Sequence, residues 1–189
     1  ATPKLVADYR AQRLKCRTIA DIGCGIGFQA FSFAQTCQKV YAVDIDREKL
    51  KKARQNARIL KLNNIEFVQG NALDPEIIQK LSKALTNEDI IFCDPQRPVE
   101  EEKRSWESLS PDIQKLLAAY SKLTNKIAAE FPPQIKDIPF DCEKEYLSVN
   151  GSLNRLTLYF GELKQAEISA VILPGNYRLT SDPKAVLNK

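Results

Sequence analysis

A glycine-rich turn stands between a strand-like segment and a helix-like segment, in ADIGCGIGFQAF at residues 20–31. Gly23, Gly25 and Gly27 allow the backbone to turn tightly and bring its amide groups close to a ligand at the start of the helix. Asp44 ends the next apolar segment, where a carboxylate can accept hydrogen bonds from the two hydroxyls of a ribose. Together these residues predict a site for an adenosine-containing cofactor.

The residues on either side of the glycines separate two classes of such cofactor. The dinucleotide fingerprint reads GxGxxG with a small third residue, and here Phe28 stands at the third position. Asp21 would place its carboxylate beside a pyrophosphate, where like charges repel, whereas a carboxylate suits the ammonium of a methionine moiety. The pattern therefore favours S-adenosyl-L-methionine over a dinucleotide.

Histidine is absent from all 189 residues. Its absence excludes Ser-His-Asp and Cys-His nucleophilic catalysis, an imidazole general base and the usual zinc sites. The 5 cysteines show no CxxC spacing, so we expect no metal site and a reducing, cytoplasmic location. No apolar run approaches the roughly 20 residues that span a bilayer, so we expect no membrane partner.

Apolar segments alternate with amphipathic ones and predict a doubly wound, mostly parallel α/β sheet. The predicted strands are residues 18–22, 39–44, 65–69, 89–94 and 125–131, and the predicted helices are 4–15, 28–36, 47–62, 75–85 and one that begins at Ser110-Pro111. Asn150-Gly151 then joins predicted strands 142–149 and 152–160, and a further strand is predicted at 167–173. We therefore expect a C-terminal antiparallel hairpin at one edge of the sheet.

Three motifs resemble those of class I S-adenosylmethionine-dependent methyltransferases: DIGCGIG at 21–27, VYAVDID at 40–46 and IIFCDPQRP at 90–98. Within that class the chain is most similar to RNA methyltransferases of the trimethylguanosine synthase kind and of the kind with a THUMP-like domain. Cys24, AVDIDREKLKKARQNA at 42–57 and VNGSLNRLTLYFG at 149–161 carry this similarity. The resemblance covers roughly residues 10–175. We expect a Rossmann-like methyltransferase domain over residues 17–189, after a basic helical lead-in at 1–16.

The resemblance also assigns cofactor-binding residues by position. They are Asp21, Gly23, Gly25 and Gly27 at the methionine end, Asp44 at the ribose, and Ile45, Asn71 and Ala72 at the adenine. Asn71 stands where the family usually has Asp. Its carbonyl oxygen can still accept a hydrogen bond from the adenine amino group.

The tetrapeptide Asp94-Pro95-Gln96-Arg97 closes the fourth predicted strand, where open sheets of this kind bind their ligands. In methyltransferases that act on amino groups, the matching motif is Asp/Asn-Pro-Pro-aromatic. Its first side chain and a backbone carbonyl hold the amine while the ring stacks on the base. Since methyl transfer to nitrogen needs mainly alignment, the resemblance implies that Asp94 and Pro95 orient the acceptor.

Gln96 and Arg97 depart from that motif, because they replace the second proline and the aromatic residue. Both are candidate substrate contacts; for Arg97, a phosphate contact and a pair with a structural carboxylate are the alternatives. Trp106, in the following loop, either stacks on the base or anchors the loop to the core. Cys93 directly precedes Asp94 in a buried strand, so we expect it to point to the opposite face and not to act as a nucleophile.

RNA, such as tRNA or another structured RNA, is the partner that the resemblance implies. The net charge of +4 is too small to indicate nucleic acid by itself. Two basic runs are candidates for phosphate contacts. The first is a helical stripe, which we expect to be a solvated face: Arg47, Lys51, Arg54, Arg58 and Lys61. The second is the leading segment: Lys4, Arg10, Arg13, Lys15 and Arg17. Methylation of a small molecule or protein and a non-catalytic cofactor-binding module remain the alternatives.

Overall fold

A computed structural model describes residues 2–96, 105–135 and 137–181 of the chain. Five α-helices and nine strands follow one another there as α1 (Lys4–Arg13), β1 (Thr18–Ile22), α2 (Phe28–Thr36), β2 (Lys39–Asp44), α3 (Arg47–Ile59), β3 (Ile65–Gln69), α4 (Pro75–Ala84), β4 (Ile90–Cys93), α5 (Ile113–Tyr120), β5 (Ile127–Phe131), β6 (Glu143–Val149), β7 (Ser152–Tyr159), β8 (Ile168–Leu173) and β9 (Tyr177–Thr180), with a short 3-10 helix at Gly161–Leu163 between β7 and β8. In that part of the chain, no helix is both long and apolar enough to cross a membrane.

The strands form one sheet in the order β3-β2-β1-β4-β5-β7-β6-β8-β9. The first five pair in parallel, and β7 runs antiparallel to both β5 and β6. This confirms the predicted doubly wound sheet with antiparallel C-terminal strands. The β6–β7 hairpin does not form the edge itself, because β8 and β9 extend the sheet beyond it. The turn at Gly175-Asn176 joins β8 to β9, and this Gly-Asn pair is a hairpin signal that was present in the sequence.

Two hydrophobic clusters cover the two faces of the sheet. Helices α4 and α5 contribute Leu81 and Leu116 to one cluster. The other receives Leu14, from the residue after α1, Phe33 of α2 and Leu50 of α3, with Phe33 edge-on to Phe92 of β4. Since β1, β4 and β5 are buried along their whole length, their carboxyl ends are fixed where the strand order reverses.

Helix α1 brings two of the basic residues of the leading segment, Arg10 and Arg13, into the interior, so these two are not candidates for phosphate contacts, whereas Lys4, Lys15 and Arg17 are exposed. The Arg10 side chain is 1% exposed and pairs with Glu130 of β5 at 2.5 Å. Arg13 pairs with Glu143 of β6 at 2.7 Å and also with Glu145. These two arginines are therefore occupied by buried carboxylates. The basic stripe on α3 is exposed, as expected for a solvated face.

Aspartates begin two of the helices. Asp46 accepts hydrogen bonds from the backbone amides of Glu48 at 2.9 Å and Lys49 at 3.1 Å, the usual role of an aspartate directly before a helix. The helix expected from Ser110-Pro111 begins instead at Ile113, because Asp112 provides the cap. Ser110 pairs with Gln96 through its backbone, which holds the segment after β4 against the segment before α5.

Candidate active site

The glycine turn runs directly against the end of β4. Gly23 has φ +78, and a Cβ there would lie only 2.7 Å from the carbonyl oxygen of Asp94. Gly27 begins α2 with φ +95, and a Cβ there would meet the ring of Phe31 at 2.5 Å. Both positions therefore require glycine, the first for close approach to β4 and the second for the turn into the helix.

Two adjoining cavities open at this end of the sheet. The larger, of about 950 Å³, has two sides. The turn side comprises Asp21 and residues 23–26, 28 and 29. The hairpin side comprises residues 130–134 and 153–155. The larger cavity is also lined by Asp94, Pro95, Gln96, Lys49 and Thr2. The smaller, of about 340 Å³, is lined by Val43, Asp44, Ile45, Gly70, Asn71, Ala72 and others. Gly23 and Gln96 line both cavities, so the two meet at the end of β1.

Asp21 provides the test of whether the larger cavity fits a cationic group. Its side chain is fully buried, and neither carboxylate oxygen has a hydrogen-bond partner among the described residues. Burial, and then the negative charge of Asp94, hold the pKa of Asp21 well above its usual range, while Arg10 lowers it. A buried carboxylate without a partner is unfavourable unless a cation approaches it. The ammonium of a methionine moiety is such a cation, so the residues fit the expected cofactor.

Asp44, which lines the smaller cavity, is held by backbone amides. Its Oδ2 accepts from the Gly25 amide at 2.7 Å, and its Oδ1 accepts from the Asp46 amide at 2.8 Å. A carboxylate has about four acceptor positions, so two are left for ribose hydroxyls. The glycine turn and the strand-end acid therefore fix each other, which explains why the two occur together in the sequence.

The adenine-side residues predicted from the resemblance line the same smaller cavity. Ile45 is 69% exposed there and offers apolar surface to a flat ring. The Oδ1 of Asn71 accepts from the Leu73 amide at 3.0 Å and keeps one acceptor position. Ala72 is buried beside it. The structure thus brings the predicted cofactor residues to the two adjoining cavities, except for Gly27, which lines neither cavity and provides the turn into α2.

Asp94 lies in the larger cavity among charges that the sequence did not indicate. Burial and the negative charge of Glu130 raise the pKa of Asp94 to about 7, against the opposing effects of Arg10 and Arg155. Glu130 itself is bound on both sides, by Arg10 and by Arg155 Nε at 2.6 Å. The sequence signal for these charges was the glutamate within the apolar run IAAEF, because a charge in a buried strand requires a partner.

The predicted substrate-binding residues separate in space. Gln96 lines both cavities, exchanges two backbone hydrogen bonds with Ser110 at 2.7 and 2.9 Å, and accepts one from Lys49 Nζ at 3.3 Å. Trp106 packs edge-on against Phe140, with ring centroids 5.1 Å apart, and is not among the residues that line either cavity. Arg97 lies outside the described residues. The stacking role of Trp106 remains a prediction, while its packing on the core is observed.

The Cys93 thiol is fully buried, and burial followed by the charge of Asp94 raises its pKa well above the usual range. Thiols react as thiolates, so this environment makes Cys93 inert. The result agrees with the expectation that it packs in the core and is not a nucleophile.

Comparison with known sequences places the chain in a family. A family model described as a methyltransferase domain matches residues 15–149. The chain is 33% identical over 94 residues to an uncharacterized RNA methyltransferase of Clostridium tetani, in a match covering 50% of this chain and 19% of that protein. It is 34% identical over 79 residues to another from Oceanobacillus iheyensis, covering 42% and 17%. The matches thus span less than a fifth of these curated relatives.

Solved structures share the fold. A protein of Porphyromonas gingivalis W83 assigned to the methyltransferases superposes with a TM-score of 0.80 at 15% identity, covering 95% of this chain and 48% of that one. An RNA methyltransferase from Salinibacter ruber, in complex with S-adenosyl-L-homocysteine, gives a TM-score of 0.57 at 19% identity, covering 86% and 94%. At these identities the likeness establishes the α/β architecture alone.

The family match, the strand order and the unpartnered Asp21 agree on one cofactor, S-adenosyl-L-methionine. The family model covers well over half of the chain. The chain therefore belongs to the class I S-adenosylmethionine-dependent methyltransferase domains.

Proposed function

We propose that this chain methylates a nitrogen of an RNA base, with tRNA or another structured RNA as substrate. The observation that carries the proposal is that Asp94 and Pro95 line the same cleft as the unpartnered Asp21, so an acceptor and the methyl donor can meet there. RNA as the acceptor is supported by the names of the relatives from Clostridium tetani and Oceanobacillus iheyensis. The resemblance to trimethylguanosine synthases and to THUMP-like-domain enzymes points the same way.

On the turn side, the chain holds and orients the donor. When bound, S-adenosyl-L-methionine supplies an electrophilic methyl group on its sulfonium. Asp21 pairs with the ammonium and is thereby relieved of its unpartnered burial. Asp44, already fixed by the Gly25 and Asp46 amides, accepts from the ribose hydroxyls. Most of the rate enhancement then comes from holding the two reactants in line.

At the end of β4, the chain holds the acceptor. A carboxylate oxygen of Asp94 and the backbone carbonyl of Pro95 accept the two hydrogens of an amino group, which directs its nitrogen lone pair toward the donor. The methylated nitrogen must lose a proton. Asp94 can take that proton on a carboxylate oxygen, since its pKa of about 7 lies near neutrality. Gln96, which lines both cavities, and Arg97 are the proposed contacts to the rest of the nucleotide.

Methyl transfer into RNA tests this proposal. RNA from cells that lack the protein is incubated with S-adenosyl-L-methionine labelled on the methyl group and with wild type, Asp94→Ala or Asp141→Ala. Asp141 is the matched control, because its side chain is 91% exposed. We expect label in RNA with wild type and Asp141→Ala, and at least a hundredfold less with Asp94→Ala, since positioning of the acceptor is lost.

Two results would contradict the proposal. Label that enters only small molecules or protein removes RNA as the substrate. Equal transfer by wild type and Asp94→Ala removes Asp94 from the catalytic site. Calorimetry with S-adenosyl-L-methionine on all three proteins shows whether the cofactor site is intact in each.

A further inference from the structure

The residues on the hairpin side of the larger cavity do not hold the methyl donor in the proposed function. It is built from the end of β5 and the segment after it, residues 130–134, and from the start of β7, residues 153–155. These two segments are neighbours because β5 and β7 pair antiparallel, with Phe131 opposite Leu156. They face Asp94 and Pro95 within one cavity of about 950 Å³. A surface so placed is available to the acceptor.

Asn154 is the polar group of that side which the described residues leave without a partner. Its Oδ1 is buried and accepts no hydrogen bond from them. Glu130, by contrast, is bound by both Arg10 and Arg155. A buried acceptor without a hydrogen-bond donor destabilises the free protein. Because Asn154 is one of the residues that line the larger cavity, a ligand bound there can supply the missing donor.

Apolar surface surrounds Asn154. Pro132 and Pro133 line the same side, and the neighbouring Leu153 is 55% exposed at the cavity. Rigid apolar walls beside one convergent polar atom are typical of sites that bind a flat, partly polar ring and fix its orientation. A nucleobase with its ribose matches this combination.

We propose that Asn154 determines acceptor specificity: its Oδ1 accepts a hydrogen bond from an N–H or O–H group of the acceptor nucleotide other than the nitrogen that is methylated. The inference rests on the proposed function and adds a second point of recognition to it. The hydrogen-bond donor is either an N–H of the base or the ribose 2′-hydroxyl. A nucleotide that lacks the donor would leave Asn154 unpaired when bound and would be discriminated against.

The test compares Asn154→Leu, which removes the acceptor atom at similar size, with wild type and with Asn87→Leu. Asn87 is exposed and is not among the residues that line either cavity, so it controls for the loss of an asparagine. Total methyl transfer from labelled S-adenosyl-L-methionine into a cell extract is measured and then divided among RNA, protein and small molecules. We expect kcat/KM to fall about tenfold for Asn154→Leu alone, mainly through KM, the size of one lost hydrogen bond.

A readout independent of activity accompanies it. Because Asn154→Leu removes a buried acceptor without a donor, its melting temperature should equal or exceed that of wild type, and its affinity for S-adenosyl-L-methionine should be unchanged. A lower melting temperature together with weaker cofactor binding would assign Asn154 a structural role and overturn the proposal.

Two oligonucleotides show which group donates the hydrogen bond to Asn154. Both contain the nucleotide that becomes methylated, and one of them is 2′-deoxy at that nucleotide. If wild type loses about tenfold on the deoxy oligonucleotide and Asn154→Leu loses nothing further, the 2′-hydroxyl is the donor. If wild type treats both alike while Asn154→Leu is impaired on both, the donor is on the base. Either result supports the proposal.

Failure of this inference is distinguishable from failure of the proposed function. Wild-type label in RNA with an unimpaired Asn154→Leu overturns the role of Asn154 and leaves RNA methylation standing. Label only in protein or small molecules overturns RNA and with it the proposed contact to a nucleotide. No transfer to any fraction overturns both.

Discussion

The two sides of the cleft are assembled from parts of the chain at very different separations. On the turn side, Gly25 and Asp44 are 19 positions apart and bind each other directly. On the hairpin side, Glu130 depends on Arg10, which is 120 positions away. The turn side is thus a local structure that one β-α-β unit can form, whereas the hairpin side exists only when distant elements have packed. Cofactor binding and acceptor binding should therefore respond differently to substitution.

The largest effect is expected for Arg10→Leu. It leaves Glu130 with one partner fewer in a buried site, so we expect about 3–5 kcal/mol of lost stability, the usual cost of breaking a buried ion pair. The measurement is the free energy of unfolding in urea. Lys4→Leu is the control, since Lys4 is exposed and its pair with Asp8 contributes about 0–1 kcal/mol. Equal losses for both variants would show that Arg10 does not hold the hairpin side.

A smaller and more selective effect is expected for Gly25→Ala. Gly25 has φ +56, and the added methyl would meet no atom within 4 Å, so it would enter the space of the cleft. The affinity for S-adenosyl-L-methionine should fall about 10–100-fold by calorimetry, a loss of about 1.4–2.7 kcal/mol. Gly151→Ala is the control, because Gly151 also has a positive φ, +80, and no atom within 4 Å of the added methyl, but it lies in the hairpin turn. Equal cofactor affinity in the two variants would contradict this view of the turn side.

The pH dependence of transfer tests the charges around Asp94. Its pKa of about 7 is above the usual value of 3.8, so protonation at neutral and lower pH removes acceptor capacity. We expect kcat/KM to rise about tenfold per pH unit below about pH 7 and to level off above it. Asp94→Asn should lose this slope, whereas the exposed Asp141→Asn should keep it. A flat wild-type profile between pH 5 and 7 would show that the ionised carboxylate is not required.

The smallest effect is expected for Trp106→Phe. An aromatic ring at this position can still pack edge-on against Phe140 and hold the loop. We expect less than a twofold change in kcat/KM for RNA, together with a small loss of stability. A tenfold or greater loss of kcat/KM at unchanged stability would instead assign Trp106 to stacking on the base.

The turn side could be predicted from the sequence because its determinants are local. The glycines, Asp21 and Asp44 occupy fixed positions relative to two strands, and the strands are recognisable by their apolar runs. The same locality let the fold class and the Asn150-Gly151 hairpin be predicted. Each of these features depends on residues close to one another in the chain.

The hairpin side could not be predicted in the same way. Arg10 has the sequence context of any solvated helical arginine, and only the packing of α1 against the sheet buries it. Asn154 follows a hairpin turn, where asparagine is common, and its lack of a partner is visible only in three dimensions. The placement of Trp106 against Phe140 likewise depends on a contact between two loops.

The ion pairs of α1 have a consequence for the order in which the chain folds. Tyr9 and Arg13 bind Glu145 and Glu143, at separations of 136 and 130 positions. Contacts this distant close the largest loops and slow the search for the native state. During synthesis the arginines of α1 emerge long before their carboxylates. The first helix should therefore be among the last elements to become fixed, and native-state hydrogen exchange would find its amides exchanging before those of β1 and β4.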